Sequence, residues 1–159
     1  MPTTNINGKS LFYTIAEPQT PKPNTPALLL IHGLGSSHSY YASIVPTLTS
    51  RGYKCISMDT YGSGLSRLQP SQSENSISTI TADVIGLLDY LGEDKICIVG
   101  HSMGCIVASN VAAEHPDRVQ KVVLIGPVHP SAKMAEVFEG RIATIQKGTT
   151  SHSLLWYEN

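Results

Sequence analysis

Apolar and polar positions along the chain follow two different patterns, and their order predicts strands alternating with helices. Residues 27–31, 53–58, 96–99 and 119–125 are short, largely apolar runs, as expected of strands buried on both faces of a parallel sheet. Residues 77–91 instead repeat apolar side chains at helical spacing, with Ser76 as N-cap and Gly92 as stop. Such alternation implies right-handed crossovers and a mainly parallel sheet.

The remaining patterns complete an α/β architecture. Asn7-Gly8 marks a tight hairpin before a strand over residues 11–15, and four prolines make residues 17–26 a loop. Helices are predicted over residues 36–50, 103–115 and 131–147. We therefore expect a sheet of about six strands with helices on both faces.

Composition narrows the classes of function. The 159 residues carry a net charge of −1 with 14% charged side chains, so neither nucleic acid nor an anionic membrane is an expected partner. Cys55, Cys97 and Cys105 lie in apolar runs, which favours buried thiols in a reducing compartment. The sequence begins with no recognisable leader and has no membrane-length apolar run. We therefore expect a cytoplasmic protein. The glycine-rich loops complete no nucleotide-binding motif, and we expect neither a cofactor nor a metal.

The run over residues 96–99 leads directly into Gly100-His101-Ser102-Met103-Gly104 and then into a helical pattern. This is the G-x-S-x-G nucleophile elbow in its strand–turn–helix context, in which the serine occupies a strained turn at the end of the strand. Gly100 and Gly104 lack a Cβ, which lets the strand and the helix approach each other closely. The pattern predicts Ser102 as a nucleophile.

Two further motifs follow strands in the same way: His-Gly-Leu-Gly at residues 32–35 and Asp-x-x-Gly-x-Gly-x-Ser at residues 59–66. Together with the elbow they resemble the α/β-hydrolase superfamily over about residues 5–147. Within it, the chain most resembles small esterases and lactonases of the 3-oxoadipate enol-lactonase kind. The resemblance implies a small-molecule ester or lactone as substrate and an acyl-enzyme on Ser102.

The resemblance also assigns roles around the nucleophile. The backbone amides of Met103 and Leu34 would form the oxyanion hole, and Met103 could also line the acyl pocket. Gly33 and Gly35 would let the loop after the strand bend under the substrate.

Other polar residues receive structural roles. His32 would order its loop by hydrogen bonding, and His101 would pack away from the nucleophile beside it. Asp59 would belong to a loop-ordering network, although the family pattern often has Arg where Tyr61 stands.

The catalytic base is the missing part. A nucleophilic serine needs a histidine oriented by a carboxylate, and the family order is serine, acid, histidine. The residues after Ser102 are enough for one helix, one strand and one more helix, so the later strands that would carry the acid and the histidine do not fit. His115 and Asp117 would lie roughly 20 Å away, at the far end of the next helix. His129 remains as a tentative base, with Glu136 or Glu139 as its orienter.

The sequence therefore predicts the N-terminal part of a hydrolase, cut short. A partial core would cover residues 1–129 and the start of a helical cap residues 130–148. An irregular tail over residues 149–159 could be sequence from outside the family. The strand over residues 119–125 would form an unprotected apolar sheet edge, which favours self-association.

Two functional hypotheses stay open. The first is a serine hydrolase impaired by the missing acid and histidine. The second is a catalytically inactive fragment, or a pseudoenzyme that binds a small molecule.

Overall fold

A computed structural model gives the architecture of the chain and describes residues 3–69, 75–129 and 131–146. The chain divides into two compact units, Met1–Val128 and His129–Asn159. The first unit contains the sheet. The described part of the second contains one helix, whose assignment to a cap stays a prediction, and the tail over residues 149–159 lies outside the described residues.

The sheet has six strands in the spatial order β1-β2-β4-β3-β5-β6. β3, β4, β5 and β6 pair in parallel, whereas β1 and β2 add an antiparallel hairpin at one side. The predicted six-stranded, mainly parallel α/β sheet is confirmed. The strands are β1 (Thr3–Ile6), β2 (Lys9–Ala16), β3 (Ala27–Ile31), β4 (Cys55–Met58), β5 (Ile96–His101) and β6 (Val119–Ile125).

Helices connect the parallel strands. A 3-10 helix (His38–Tyr41) and α1 (Val45–Ser50) lie between β3 and β4, α2 (Ile77–Leu91) precedes β5, and α3 (Met103–Glu114) precedes β6. The second unit contains α4 (Ala132–Gln146). In the described part of the chain no helix is both long enough and apolar enough to cross a bilayer.

Local sequence rules account for the hairpin and for the boundaries of α2. Asn7 and Gly8 have φ values of 52° and 77°, and Ile6 pairs with Lys9, as a two-residue hairpin turn requires. Ser76 caps α2 by accepting a hydrogen bond from the Thr79 amide at 3.2 Å, and its own amide donates to the Thr79 hydroxyl at 2.9 Å. The helix ends at Gly92 with a φ of 69°.

The single helix predicted over residues 36–50 is wrong. The structure has a four-residue 3-10 helix and a separate six-residue α1 instead. Pro46 lies at the start of α1, where its missing amide costs no hydrogen bond. In the middle of a longer helix its ring would clash with the carbonyl four residues earlier, so the helix begins here.

Alternate residues of β3 pack on opposite faces of the sheet. Leu29 and Ile31 belong to the large core with the apolar residues of α2 and α3. Leu30 belongs to a smaller core with Tyr41, against which α1 packs through Val45 and Leu48. Helices therefore cover both faces, as predicted.

β6 forms one edge of the sheet, as the pattern predicts. It pairs with β5 on its inner side, and the described residues place no ladder on its outer side. Its apolar residues are unusually accessible: Val122 to Ile125 are 38–47% exposed.

Candidate functional site

Ser102 lies between the last residue of β5 and the first residue of α3, with φ 53° and ψ −115°. A non-glycine residue in this region costs of order 1–3 kcal/mol and persists only where its surroundings hold it in place. The residue is half-buried and lies at the carboxyl edge of the sheet. The elbow predicted from the motif therefore has the strained turn that this motif requires.

Two main-chain hydrogen bonds hold the strained residue. The amide of Ser102 donates to the carbonyl of Ile125 at 3.0 Å, and the carbonyl of Ser102 accepts from the amide of Cys105 at 3.0 Å. Because the amide of Ser102 is engaged, it is not a donor for a bound substrate. The next amide, that of Met103, begins α3, where an N–H group has no acceptor within the helix and the helix dipole favours negative charge.

The two glycines of the elbow permit contacts between main chains. A methyl group on Gly100 would overlap the carbonyl of Gly104 and lie 2.7 Å from the amide nitrogen of Cys105. A methyl group on Gly104 would overlap the carbonyl of Ile31 and lie 2.8 Å from that of His32. The start of α3 thus packs directly on the end of β3.

The loop after β3 lies against the nucleophile. A methyl group on Gly33 would be 3.1 Å from the Cβ of Ser102 and 3.1 Å from the Nδ1 of His101. Gly35 has a φ of 74°, so the loop turns sharply just beyond Leu34, whose side chain is exposed. The structure therefore brings together the loop and the elbow that the motifs singled out.

His32 is fully buried and orders this loop. The amide of Thr60 donates to its Nε2 at 3.2 Å, so Nε2 is an acceptor and the proton lies on Nδ1, which donates to the carbonyl of Gly33 at 2.7 Å. Burial lowers the pKa of the imidazole, which favours this neutral form. His32 supports the loop and is not placed as a base.

Asp59 links the loops that follow β3 and β4. Its buried carboxylate accepts from the amide and the Nδ1 of His38, the latter at 2.9 Å, and from the amide of Leu65 at 2.8 Å. Gly64 packs so closely on this carboxylate that a Cβ there would overlap it. The geometry is that of a loop-ordering network.

Tyr61 extends the network. Its ring is buried, its hydroxyl accepts from the amide of Gln69 at 2.8 Å, and its carbonyl accepts from the side-chain amide of Asn75 at 2.7 Å. It holds the loop after β4 at the position where the family pattern often has Arg.

His101 packs on an aromatic ring. It stacks on Tyr40 with ring centroids 4.3 Å apart and an interplanar angle of 19°. Its Nδ1 is buried, and no hydrogen-bond partner for this atom occurs among the described residues. The described contacts of this side chain are therefore packing contacts, and its structural role stays a prediction.

Among the described residues of the first unit, no imidazole hydrogen-bonds to Ser102. His32 binds the Thr60 amide, His38 binds Asp59, and His101 stacks on Tyr40. His115 caps the far end of α3, roughly 20 Å from Ser102 at 1.5 Å per residue. His129 begins the second unit, so its role as the base stays a prediction.

Sequence reasoning missed two parts of the site. His38 carries no motif, and its link to Asp59 depends on the loop path. The Ile125 carbonyl that holds Ser102 is a main-chain group, for which no residue type gives a signal.

Known proteins are similar to this chain in sequence and in fold. The family model described as the alpha/beta hydrolase fold matches residues 26–150. The chain belongs to the α/β-hydrolase family. Two relatives are Epoxide hydrolase 2 from Siraitia grosvenorii and 2-hydroxy-6-oxo-6-phenylhexa-2,4-dienoate hydrolase from Burkholderia cepacia. The first is 34% identical over 117 residues, 71% of this chain and 37% of the relative. The second is 36% identical over 105 residues, 64% of this chain and 36% of the relative.

A solved structure gives the same result. The enol-lactonase from Burkholderia xenovorans superposes with a TM-score of 0.67 at 31% identity, covering 76% of this chain and 45% of the enol-lactonase. The chain thus spans less than half the length of these three proteins.

Proposed function

We propose that this chain carries the nucleophile of a serine hydrolase that acts on a small-molecule ester or lactone. The observation that supports the proposal is the backbone of Ser102, with φ 53° and ψ −115°, between β5 and α3. Strain of this kind at an accessible hydroxyl is typical of a nucleophile elbow.

In the proposed reaction a base takes the proton of the Ser102 hydroxyl while its Oγ attacks the carbonyl carbon of the substrate, and the carbonyl electrons move to the carbonyl oxygen. The amides of Met103 and Leu34 would stabilise this oxyanion, a contribution worth about 3–4 kcal/mol per donor in other enzymes. Collapse of the intermediate expels the alcohol oxygen, which takes up a proton, and leaves an acyl-enzyme. Water then releases the acid and restores the hydroxyl.

The chemistry of a serine favours an ester or a lactone over an epoxide, although one relative is named an epoxide hydrolase. Attack of Ser102 on an epoxide would produce an ether. An ether has no carbonyl carbon for water to attack, so the enzyme would be blocked after one turnover. An acyl-enzyme carries the carbonyl that hydrolysis needs.

The base is the open part of the proposal. His129, with Glu136 or Glu139 as orienter, is one source, and a part of the whole protein beyond these 159 residues is the other. Without a base, the oxyanion hole and substrate binding still provide about 10³–10⁴-fold acceleration over water in a triad hydrolase. That residual rate does not require the serine, so we expect turnover that depends on Ser102 only if one of these 159 residues, such as His129, supplies the base.

Hydrolysis of p-nitrophenyl acetate and of a γ-lactone by the purified chain tests the proposal, with Ser102→Ala and His129→Gln as variants. Slow hydrolysis that S102A abolishes and H129Q leaves unchanged supports Ser102 as the nucleophile and shows that His129 is not its base. Loss in both variants identifies His129 as the base. Equal rates for the chain and S102A rule out turnover through Ser102 in this chain.

The second candidate is a pseudoenzyme that binds a small molecule. It is favoured by the described imidazoles of the first unit, none of which hydrogen-bonds to Ser102. This reading predicts a rise in melting temperature with a lactone or carboxylic acid, but no turnover. Turnover that S102A abolishes contradicts it.

Self-association through β6 and a cytoplasmic location are further proposals. The exposed apolar edge supports the first, since such an edge can pair with a second copy. The free thiols of Cys55, Cys97 and Cys105 support the second, because a reducing compartment keeps thiols unpaired. Neither nucleic acid nor a membrane is a proposed partner.

A further inference from the structure

Cys105 makes contacts that the elbow motif does not require. It is 2% exposed and lies in the first turn of α3. Its thiol hydrogen faces two main-chain acceptors, the carbonyl of Gly100 at 3.1 Å and the carbonyl of Ile125 at 3.3 Å. These acceptors are the end of β5 and the end of β6, on the two sides of the nucleophile.

The same carbonyl of Ile125 also accepts the amide of Ser102 at 3.0 Å. Its two lone pairs are therefore shared between the strained serine and the thiol. The amide of Cys105 in turn donates to the carbonyl of Ser102 at 3.0 Å. Cys105 thus contacts the peptide group that follows Ser102, and its thiol contacts the ends of β5 and β6.

We propose that Cys105 is a positioning residue, which holds the Ile125 carbonyl in place to receive the Ser102 amide and so maintains the strained backbone of the nucleophile. The inference rests on the proposed function. β6 is an edge strand without a described outer neighbour, so its end needs a contact of this kind more than a central strand would. Removal of the thiol frees the carbonyl to rotate, and the turn at Ser102 can then relax.

Three cysteine variants of the full chain test the proposal. Cys105→Ala removes the donor, Cys105→Ser retains a donor at the same place, and Cys55→Ala is the matched control. Cys55 is equally buried but lies on β4, where its thiol faces the carbonyl of Tyr53 at 3.8 Å. Melting temperatures establish that each variant is folded.

The first readout is hydrogen exchange of the Ser102 amide, followed by NMR. We expect C105A to exchange about threefold faster than the unmodified chain, the low end of what loss of one hydrogen bond produces, because a thiol is a weak donor. C105S and C55A should stay within about twofold. Equal exchange in C105A and C55A, or no rescue by C105S, would overturn the proposal.

The second readout is the rate at which a fluorophosphonate labels Ser102. This rate should be lower in C105A than in the unmodified chain, and close to that of the unmodified chain in C105S and C55A. A chain that is never labelled but shows the expected exchange pattern leaves the positioning role intact and refutes the proposed nucleophile. Normal labelling together with unchanged exchange in C105A refutes the positioning role and leaves the nucleophile intact.

Discussion

Gly104→Ala is the substitution whose cost the structure defines most sharply. The added methyl would overlap the carbonyl oxygen of Ile31 and lie 2.8 Å from that of His32. Both are main-chain atoms at the end of β3, so neither can rotate away as a flexible side chain would. The helix α3 must move outward, and with it the start of the helix at Met103.

Two terms set the magnitude. Overpacking in a well-packed region typically costs 1–3 kcal/mol and exceeds this where main chain must shift. Replacement of glycine by alanine inside a helix gains about 1 kcal/mol. Because the contacts are with main chain, the net loss in the free energy of unfolding should be about 2 kcal/mol, equivalent to a fall in melting temperature of about 4–8 °C.

Urea denaturation followed by circular dichroism measures this loss, with Gly140→Ala as the matched control. Gly140 also lies within a helix, α4, but nothing lies within 4 Å of a methyl placed there. G140A should therefore be neutral or raise stability by up to about 1 kcal/mol. If G104A proves as stable as G140A, this result contradicts the close main-chain contact between α3 and the end of β3.

Three further outcomes are expected. Ser102→Gly should raise the free energy of unfolding by about 1 kcal/mol relative to Ser102→Ala, because glycine tolerates a φ of 53°; equal stabilities would deny the strain. Burial lowers the pKa of His32, so the unfolded chain binds the proton more readily. Stability should therefore fall as pH drops below about 6.5, by up to about 1.4 kcal/mol per pH unit, and a pH-independent melting temperature between pH 7 and 5 would contradict this. Val123→Lys at the exposed edge should reduce self-association in sedimentation velocity, whereas Tyr90→Lys on α2 should not, and an equal effect of both would implicate general surface charge.

The sequence predicts those parts of the fold that short-range rules determine. Asn7-Gly8 specifies its own turn, Ser76 and Thr79 form the capping box of α2, and the glycines on either side of Ser102 predict the elbow. Each signal lies within a few residues and reflects sterics or one hydrogen bond, so a single sequence suffices to read it.

The parts that depend on distant residues were not predictable. His38 and Asp59 are separated by 21 positions and meet only because the loops after β3 and β4 converge. The hydrogen bond from the Ser102 amide to the Ile125 carbonyl links β5 to β6 through main-chain atoms. Because every residue has these atoms, no residue type in the sequence predicts the bond.

The most direct test of the central claim is to locate the adduct of a fluorophosphonate by peptide mass mapping. If the turn at Ser102 presents an activated hydroxyl beside the amides of Met103 and Leu34, the phosphonyl group will be found on Ser102 in preference to the other serines, and S102A will remain unlabelled. An adduct distributed over several serines, or found to the same extent in S102A, would contradict the account.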